Sequence, residues 1–385
     1  MEREYNVGTW LTPSDEYIKD IKQTLVEKGV ATELTPNSEL GGILKDKSFF
    51  KSYCDFVKDL TRPFSSYITN DADLKNMTNE DVEMFLGDYD VTENVERIIS
   101  LFGSDYNYYL SIPNITKLPL FNTSKCKSLN GAFSYLNNLQ EVPLYDTSNA
   151  EDVSSMCYGC ESLEDAPSYN LSKAKKAGSM FRNCYKLKRV NLDLSNVETT
   201  RSMFDGCKSL LDADFDLSSN KDASGMFSGC ESIKTITLRN TSKITDFDGI
   251  ATNCKLLETF TGLDMISVTS SPSSMFDGCK AIANLMLYNI GVGLKIGSGT
   301  TWGHLLTLDS LINTCKECIK QSSSKTLTVG TANIEKLANV YVRFVDINQT
   351  EIAVGEKGEV EVCEADNNDA MTITEYMALK SWTLA

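Results

Sequence analysis

The chain has 385 residues, with 53 acidic and 37 basic side chains, a formal net charge of -16 and a single histidine. At 41% hydrophobic and 23% charged, the composition is that of a globular chain long enough for two or three domains, not of a disordered, collagen-like or membrane-embedded one. So much negative charge repels phosphate backbones and anionic lipid, which excludes nucleic acid and membrane surfaces as natural partners. One histidine, His304, leaves little room for Ser-His-Asp, Cys-His or two-imidazole metal chemistry.

The chain starts Met1-Glu2-Arg3 with no apolar stretch of signal-peptide length behind it, so a soluble protein made in the cytoplasm is expected. Residues 1–110 carry 21 acids and 11 bases, which concentrates the acidity at this end. After Ser14-Asp15-Glu16, helical spacing places Tyr17, Ile18, Ile21 and Leu25 on one face. A second periodic segment runs from Phe49 to Leu60, and Thr78 and Thr92 are N-cap candidates. These features predict a helical N-terminal domain over 1–108, which either covers the exposed end of the neighbouring domain or attaches the protein to a larger assembly.

Beyond it the cysteines set a period. Cys160, Cys184, Cys207, Cys230, Cys254 and Cys279 are spaced by 24, 23, 23, 24 and 25 residues. Met180-Phe181, Met203-Phe204, Met226-Phe227 and Met275-Phe276 each precede their cysteine at the same offset, and Leu136 holds the cysteine place one coil earlier. Apolar residues recur three, six and usually eight positions after the cysteine, the last two alternating as in a half-buried strand. The Met-Phe-x-x-Cys segment reads as a short helical turn, and polar turns such as Asp146-Thr147-Ser148-Asn149 link the two. A strand and a turn in some 24 residues cannot bury both faces alone, so the coils must stack. The expected architecture is α/β: a parallel-sheet solenoid of about eight coils over 109–292, its eight strands spanning roughly 40 Å.

The unit Met-Phe-x-x-Cys-x-x-Leu-x-x-Val-x-Leu resembles the leucine-rich repeats of the BspA-like class, found in bacterial surface proteins, some protist proteins and structural proteins of gut bacteriophage (crAss-like or prophage). Leu306–Leu311, Lys325–Gly330, Asn333–Leu337 and Ala378–Leu384 are similar to the C-terminal cap that succeeds such repeats in phage and prophage proteins. The resemblance implies a C-terminal α+β cap over 293–385. Within it Val340–Ala370 is an insert whose alternation (Tyr341, Arg343, Val345, then Glu359, Glu361, Cys363) predicts a β-hairpin arm.

Candidate chemistry is sparse. Cys157 and Cys160 form one Cys-x-x-Cys pair by accident of phase, and the six repeat cysteines read as a reduced, buried core ladder. Cys315 and Cys318 form a second pair with no paired partner motif for zinc. The glycine-rich stretch Gly291–Gly299 lacks a phosphate-loop ending, and His304 has no neighbouring carboxylate in sequence. Asp212, Asp214 and Asp216 share a strand face and read as solvated acids, with weak calcium binding the alternative. No catalytic, metal or cofactor site is expected, and no cofactor.

One row stands out as a candidate binding face. The residue after the second strand hydrophobe of successive coils is Phe121, Tyr145, Tyr169, Asp193, Asp216, Arg239, Leu263 and Tyr288. Stacking aligns them on one exposed face suited to sugars or a protein anchor; a stabilising aromatic ladder, or an interface with the N-terminal domain, is the alternative. The preferred functional expectation is a non-enzymatic bacteriophage virion component (tail, fibre or capsid decoration) assembled in the host cytoplasm. In it the N-terminal domain contacts other virion proteins and the solenoid contacts a host glycan or protein, without membrane insertion and with homo-oligomerisation open. A BspA-like cell-surface adhesin is the alternative, and a paired-carboxylate glycan hydrolase the third.

Overall fold

The computed structural model describes Asn79, residues 115–118, 120, 123–296, 306–318, 324–329, 331–345, 359–365 and 370–384. The predicted N-terminal helices, Phe121 and His304 lie outside these residues. The chain divides into two compact units, Met1–Asp193 and Leu194–Ala385.

In the second unit four strands, β1 (Asp212–Asp216), β2 (Thr235–Arg239), β3 (Thr259–Asp264) and β4 (Asn284–Tyr288), form a parallel sheet in the order β1-β2-β3-β4. Their inward residues, such as Ala213, Phe215, Ile236, Leu238, Phe260 and Leu285, are buried as the alternation predicts. The register is direct, Asp212 opposite Thr235 and Thr235 opposite Thr259, so each coil repeats the one before it. The coil from Cys254 to Cys279 is the longest at 25 residues, and β3 absorbs its extra residue as a bulge between Thr261 and Leu263. Gly262 makes this possible: at φ 94° a Cβ would fall inside the carbonyl of Leu238.

Opposite the strands, the predicted helical turn is absent. The Met-Phe-x-x-Cys segments of 123–296 are chains of tight turns, with N–H groups reaching back three residues, as in Arg182 to Ser179 (3.1 Å) and Cys184 to Phe181 (3.1 Å). Alternate N–H groups are left over and donate to the next coil: Ser155 to Gly178, Cys157 to Met180 and Gly159 to Arg182 in the first unit; Gly225 to Asp248, Phe227 to Ile250 and Gly229 to Thr252 in the second. Two left-handed residues per coil prevent a helix. The place five before the cysteine holds Ser179, Ser202 or Gly225, and the place one before it holds Asn183, Gly206, Gly229 or Asn253, all at positive φ. Serine, asparagine and glycine there were readable as turn residues, and the turns satisfy backbone that a helix would have satisfied internally.

The first unit stacks the same coils without extended strands. Its sheet side shows single parallel bridges, Lys117 to Glu141 and Asp165 to Arg189, and its turn side Ser128 to Asp152 and Asp152 to Lys176. The expectation of eight continuous strands is therefore corrected to four ladder-bonded strands in the second unit. Asn79, from the N-terminal region, accepts the Thr116 N–H (2.9 Å) and donates to its hydroxyl (2.8 Å) in the first described coil.

C-terminal to the repeats the second unit is α+β. Helix α1 (Leu308–Glu317) is capped by Thr307 and lies against β4. Its Ser310 hydroxyl accepts from Leu285 N–H (3.1 Å) and donates to the Ala283 carbonyl (3.1 Å), while the Glu317 carboxylate accepts from Asn289 N–H (3.1 Å). These side chains occupy backbone groups in β4 and at its two ends that a further strand would otherwise take. A second sheet joins β5 (Leu294–Lys295), β6 (Lys325–Thr328) and β10 (Trp382–Leu384) in the order β10-β6-β5, all parallel. A third is antiparallel, β8-β7-β9: β7 (Tyr341–Val345) pairs with β8 (Glu359–Cys363), Arg343 opposite Glu361, and with β9 (Met371–Thr372). Helices α2 (Thr331–Leu337) and α3 (Ile373–Leu379) complete the unit, α3 opening with a capping box from Thr372 and Glu375.

Candidate functional site

The interior accounts for the repeat residues. Cys160, Cys184, Cys207, Cys230, Cys254 and Cys279 are all fully buried and in no disulfide. Five of these thiols donate to the carbonyl at the phenylalanine place one coil earlier: Cys160 to Phe133, Cys184 to Cys157, Cys230 to Phe204, Cys254 to Phe227 and Cys279 to Ala251, at 3.1–3.2 Å. Cysteine is thus small enough for the stack and still ties coil to coil. Burial pushes the Cys230 and Cys254 thiols well up; at Cys157 hydrogen bonding with Cys160, then burial, does the same. A buried thiol held in its protonated form is a poor nucleophile.

The predicted exposed row does not survive as a row. Tyr145 and Tyr169 are 1% and 3% exposed and belong to the core. The cause is local. Pro143 and Pro167 stand seven places after the cysteine place, where β1 and β2 carry Asp214 and Thr237, and a proline there has no N–H for a ladder. The N–H groups of Tyr145 and Tyr169 bond back to the Pro143 and Pro167 carbonyls (2.9 Å each), closing γ-turns around Leu144 and Ser168. Each turn shifts the alternation by one: Leu144 comes out, 64% exposed, and Tyr145 goes in to stack on Phe133 at 5.0 Å. Tyr169 donates its hydroxyl to the Pro143 carbonyl (3.3 Å), and burial raises its pKa well above the usual phenol value. Leu263 is likewise buried, because the bulge at Gly262 hands its outward place to Asp264. Asp193, in a coil without that proline, is exposed.

In the second unit Asp216 lies opposite Arg239 and Asp264 opposite Tyr288, and these four residues, with Asp264 in the place expected of Leu263, lie on the outer side of the sheet. Two further outward rows run beside it, Asp212-Thr235-Thr259-Asn284 and Asp214-Thr237-Thr261-Met286. Sequence reasoning missed Met286, 41% exposed beside Tyr288 at 36%; its place opposite Thr261 could have been read from the repeat. Arg239 pairs with Asp214. Asn240 donates to Asp216 and Asn289 to Asp264, each at 2.8 Å, so each carboxylate is held by the neighbouring coil. Hydrogen bonds from Ser218 and Asn240 keep the Asp216 carboxyl below the usual carboxylate range. The face therefore grades from acidic on β1, through threonines on β2 and β3, to Met286 and Tyr288 on β4.

Among the described residues no group of three His, Cys, Asp or Glu side chains is placed to hold a metal, which leaves the Asp212-Asp214-Asp216 calcium alternative without a cluster. Cys315 and Cys318 are buried, burial pushing Cys315 up to about 12 and Cys318 higher still. No described helix is long and apolar enough to cross a membrane.

Comparison with known proteins agrees with the repeat geometry. Residues 72–192 match the family described as Mycoplasma protein of unknown function. No curated protein and no solved structure matches the chain. Residues 170–283 match, in six copies, the BspA type leucine-rich repeat region, and the stacked coils of this stretch are similar to such a region.

Proposed function

We propose that the protein is a non-enzymatic binding protein of the surface-adhesin type, whose repeats present the outer face of β1–β4 to a partner. One observation carries this reading. The inward rows of the four strands are uniformly apolar, while the outward rows change in chemistry along the sheet, from Asp214 on β1 through Thr237 and Thr261 to Met286 on β4. A constant scaffold with a differentiated face is the division of labour expected of a repeat binding surface. The exposed pair Met286 and Tyr288 supplies the apolar anchor that such surfaces use. Buried thiols and solvated carboxylates favour recognition over catalysis.

A second reading, a virion component assembled in a host cytoplasm and attached through residues 1–108, draws on the resemblance of the C-terminal segments and on the buried, reduced cysteines. Immunogold microscopy of producing cultures with antibody against residues 109–385 separates the two. Label on the cell envelope supports the adhesin, and label on particles the virion component. Purified Tyr288→Ser with Met286→Ser should lose most of the binding to whichever surface is labelled; unchanged binding by a folded double variant removes the face from the proposal.

A further inference from the structure

At one buried corner of each coil a backbone N–H bonds back three residues. Ala150, Ala174, Val197, Ile244 and Val268 hold this place, and in the coil 217–240 it is held by Asn220. Three residues further on, a second buried column runs through Val153, Ala177, Thr200, Ala223 and Phe247. Each column is apolar except at one residue, and the two exceptions meet. The fully buried Asn220 amide donates to the Thr200 hydroxyl (3.1 Å) and to the Val197 carbonyl (3.3 Å), both in the preceding coil, 194–216.

Stability does not ask for this pair. The other coils fill the same two columns with apolar side chains and stack as well. The Asn220 Oδ1 is buried with no hydrogen-bond partner among the described residues, so the asparagine carries a desolvation cost that an alanine, valine or isoleucine avoids. A buried polar pair kept at such a cost has its best-attested use in selecting one arrangement among near-equivalents.

A repeat has near-equivalents to select among, since each coil offers its neighbours almost the same surface, and misassembly is the characteristic failure of repeat chains. Other bonds between coils do not discriminate. The thiols of Cys230 and Cys254 go to the carbonyls of Phe204 and Phe227, and the Thr241 hydroxyl goes to the carbonyl of Gly262. Every coil presents such carbonyls, so these bonds hold any neighbour alike. The amide and hydroxyl do discriminate. If coil 241–265 took the place of 217–240, Thr200 would meet Ile244 and lose its donor. The exposed pair of Lys221 with Glu198 (2.7 Å) would go too, because Thr245 stands where Lys221 does. We propose that Asn220 and Thr200 are a register pin, which selects 217–240 as the neighbour of 194–216 and rejects the coil after it. The pin lies in the interior, and the proposal does not rest on the outer face of β1–β4.

The test compares purified full chains by amide hydrogen exchange, read by mass spectrometry over 217–240, and by the midpoint of urea unfolding. Asn220→Val with Thr200→Ala installs the residue types that the same columns carry in other coils. The parent should show one protected mass envelope. The double variant should show two, the second exchanging at least about tenfold faster, from chains in which this coil is left out of the stack. Its midpoint should lie above those of both single variants, because each single change leaves one buried polar group without its partner. A single envelope in the double variant overturns the pin, since coil order then holds without it, and two envelopes in the parent overturn it as well. A double variant that fails to fold, or whose midpoint is at or below that of either single variant, also overturns it, because the pair then serves stability and not register.

Discussion

The two units build on one repeat and arrive at different surfaces. In the second, each coil keeps a residue with an N–H at the middle of its strand, a ladder forms, and the ninth place after the cysteine faces out in Asp216, Arg239 and Tyr288, the bulge passing that role to the tenth place, Asp264, in β3. In the first, Pro143 and Pro167 remove that N–H, a γ-turn closes, and the ninth place, Tyr145 or Tyr169, turns into the core. Tyr145 on Phe133 at 5.0 Å does the same packing work as Phe215 on Phe204 at 5.6 Å, one position later in its coil. A solenoid core thus asks for an aromatic at a point in space and leaves its sequence position to the backbone that delivers it.

Truncation tests this equivalence most severely. Tyr145→Ala and Phe215→Ala should each cost about 3–5 kcal/mol in denaturant unfolding, as for other buried aromatics. A Tyr145→Ala cost below about 1 kcal/mol, typical of a surface site, would contradict the inward turn. Next in size is Gly262→Ala in the bulge, expected to cost about 2–4 kcal/mol because its Cβ has no room beside the Leu238 carbonyl. Deleting Gly262, which returns the coil to 24 residues, should be tolerated better; if deletion is the worse of the two, the bulge carries packing beyond its extra residue.

Smaller effects test the thiol ladder. Cys230→Ala removes a buried sulfur and its bond to the Phe204 carbonyl, and should cost about 1–2 kcal/mol. Before unfolding, the repeat thiols should react with a thiol reagent far more slowly than in denaturant, since burial holds Cys230 and Cys254 as thiols. Fast reaction of the folded chain would mean that the ladder opens.

The least of these effects is a pH dependence. Asp216 titrates lower in the folded protein than in the unfolded chain, where a free aspartate has a pKa of about 3.9. Its stabilisation is present above that value and is lost as pH falls through the folded one. The group lies near solvent, so the contribution is about 0.5 kcal/mol. Asp216→Asn should therefore flatten the loss of stability below about pH 5, and a slope equal to the parent's would leave the Ser218 and Asn240 bonds without weight.

The period of the cysteines, the parallel stacking, the apolar strand places after each cysteine and the pairing of Tyr341–Val345 with Glu359–Cys363 were legible in the sequence, because spacing and alternation are one-dimensional signals. The outward row over β1–β4 was half legible: Asp216, Arg239 and Tyr288 fell on it, Leu263 did not, and Met286 was passed over. The helical turn was misread because Met, Phe and Cys at i, i+1 and i+4 share a side in a helix and in a chain of tight turns alike. Only the left-handed residues at its ends distinguish the two.

Residue order alone was enough to establish that this chain repeats, which residues are apolar at which interval, and that small buried thiols recur once per coil. Which tyrosines are core, as Tyr145 and Tyr169, and which face out, as Tyr288, was settled by the folded backbone. A proline's missing N–H, a one-residue bulge and a γ-turn each shift the alternation by a single place, and in a backbone of period two a single place exchanges inside for outside.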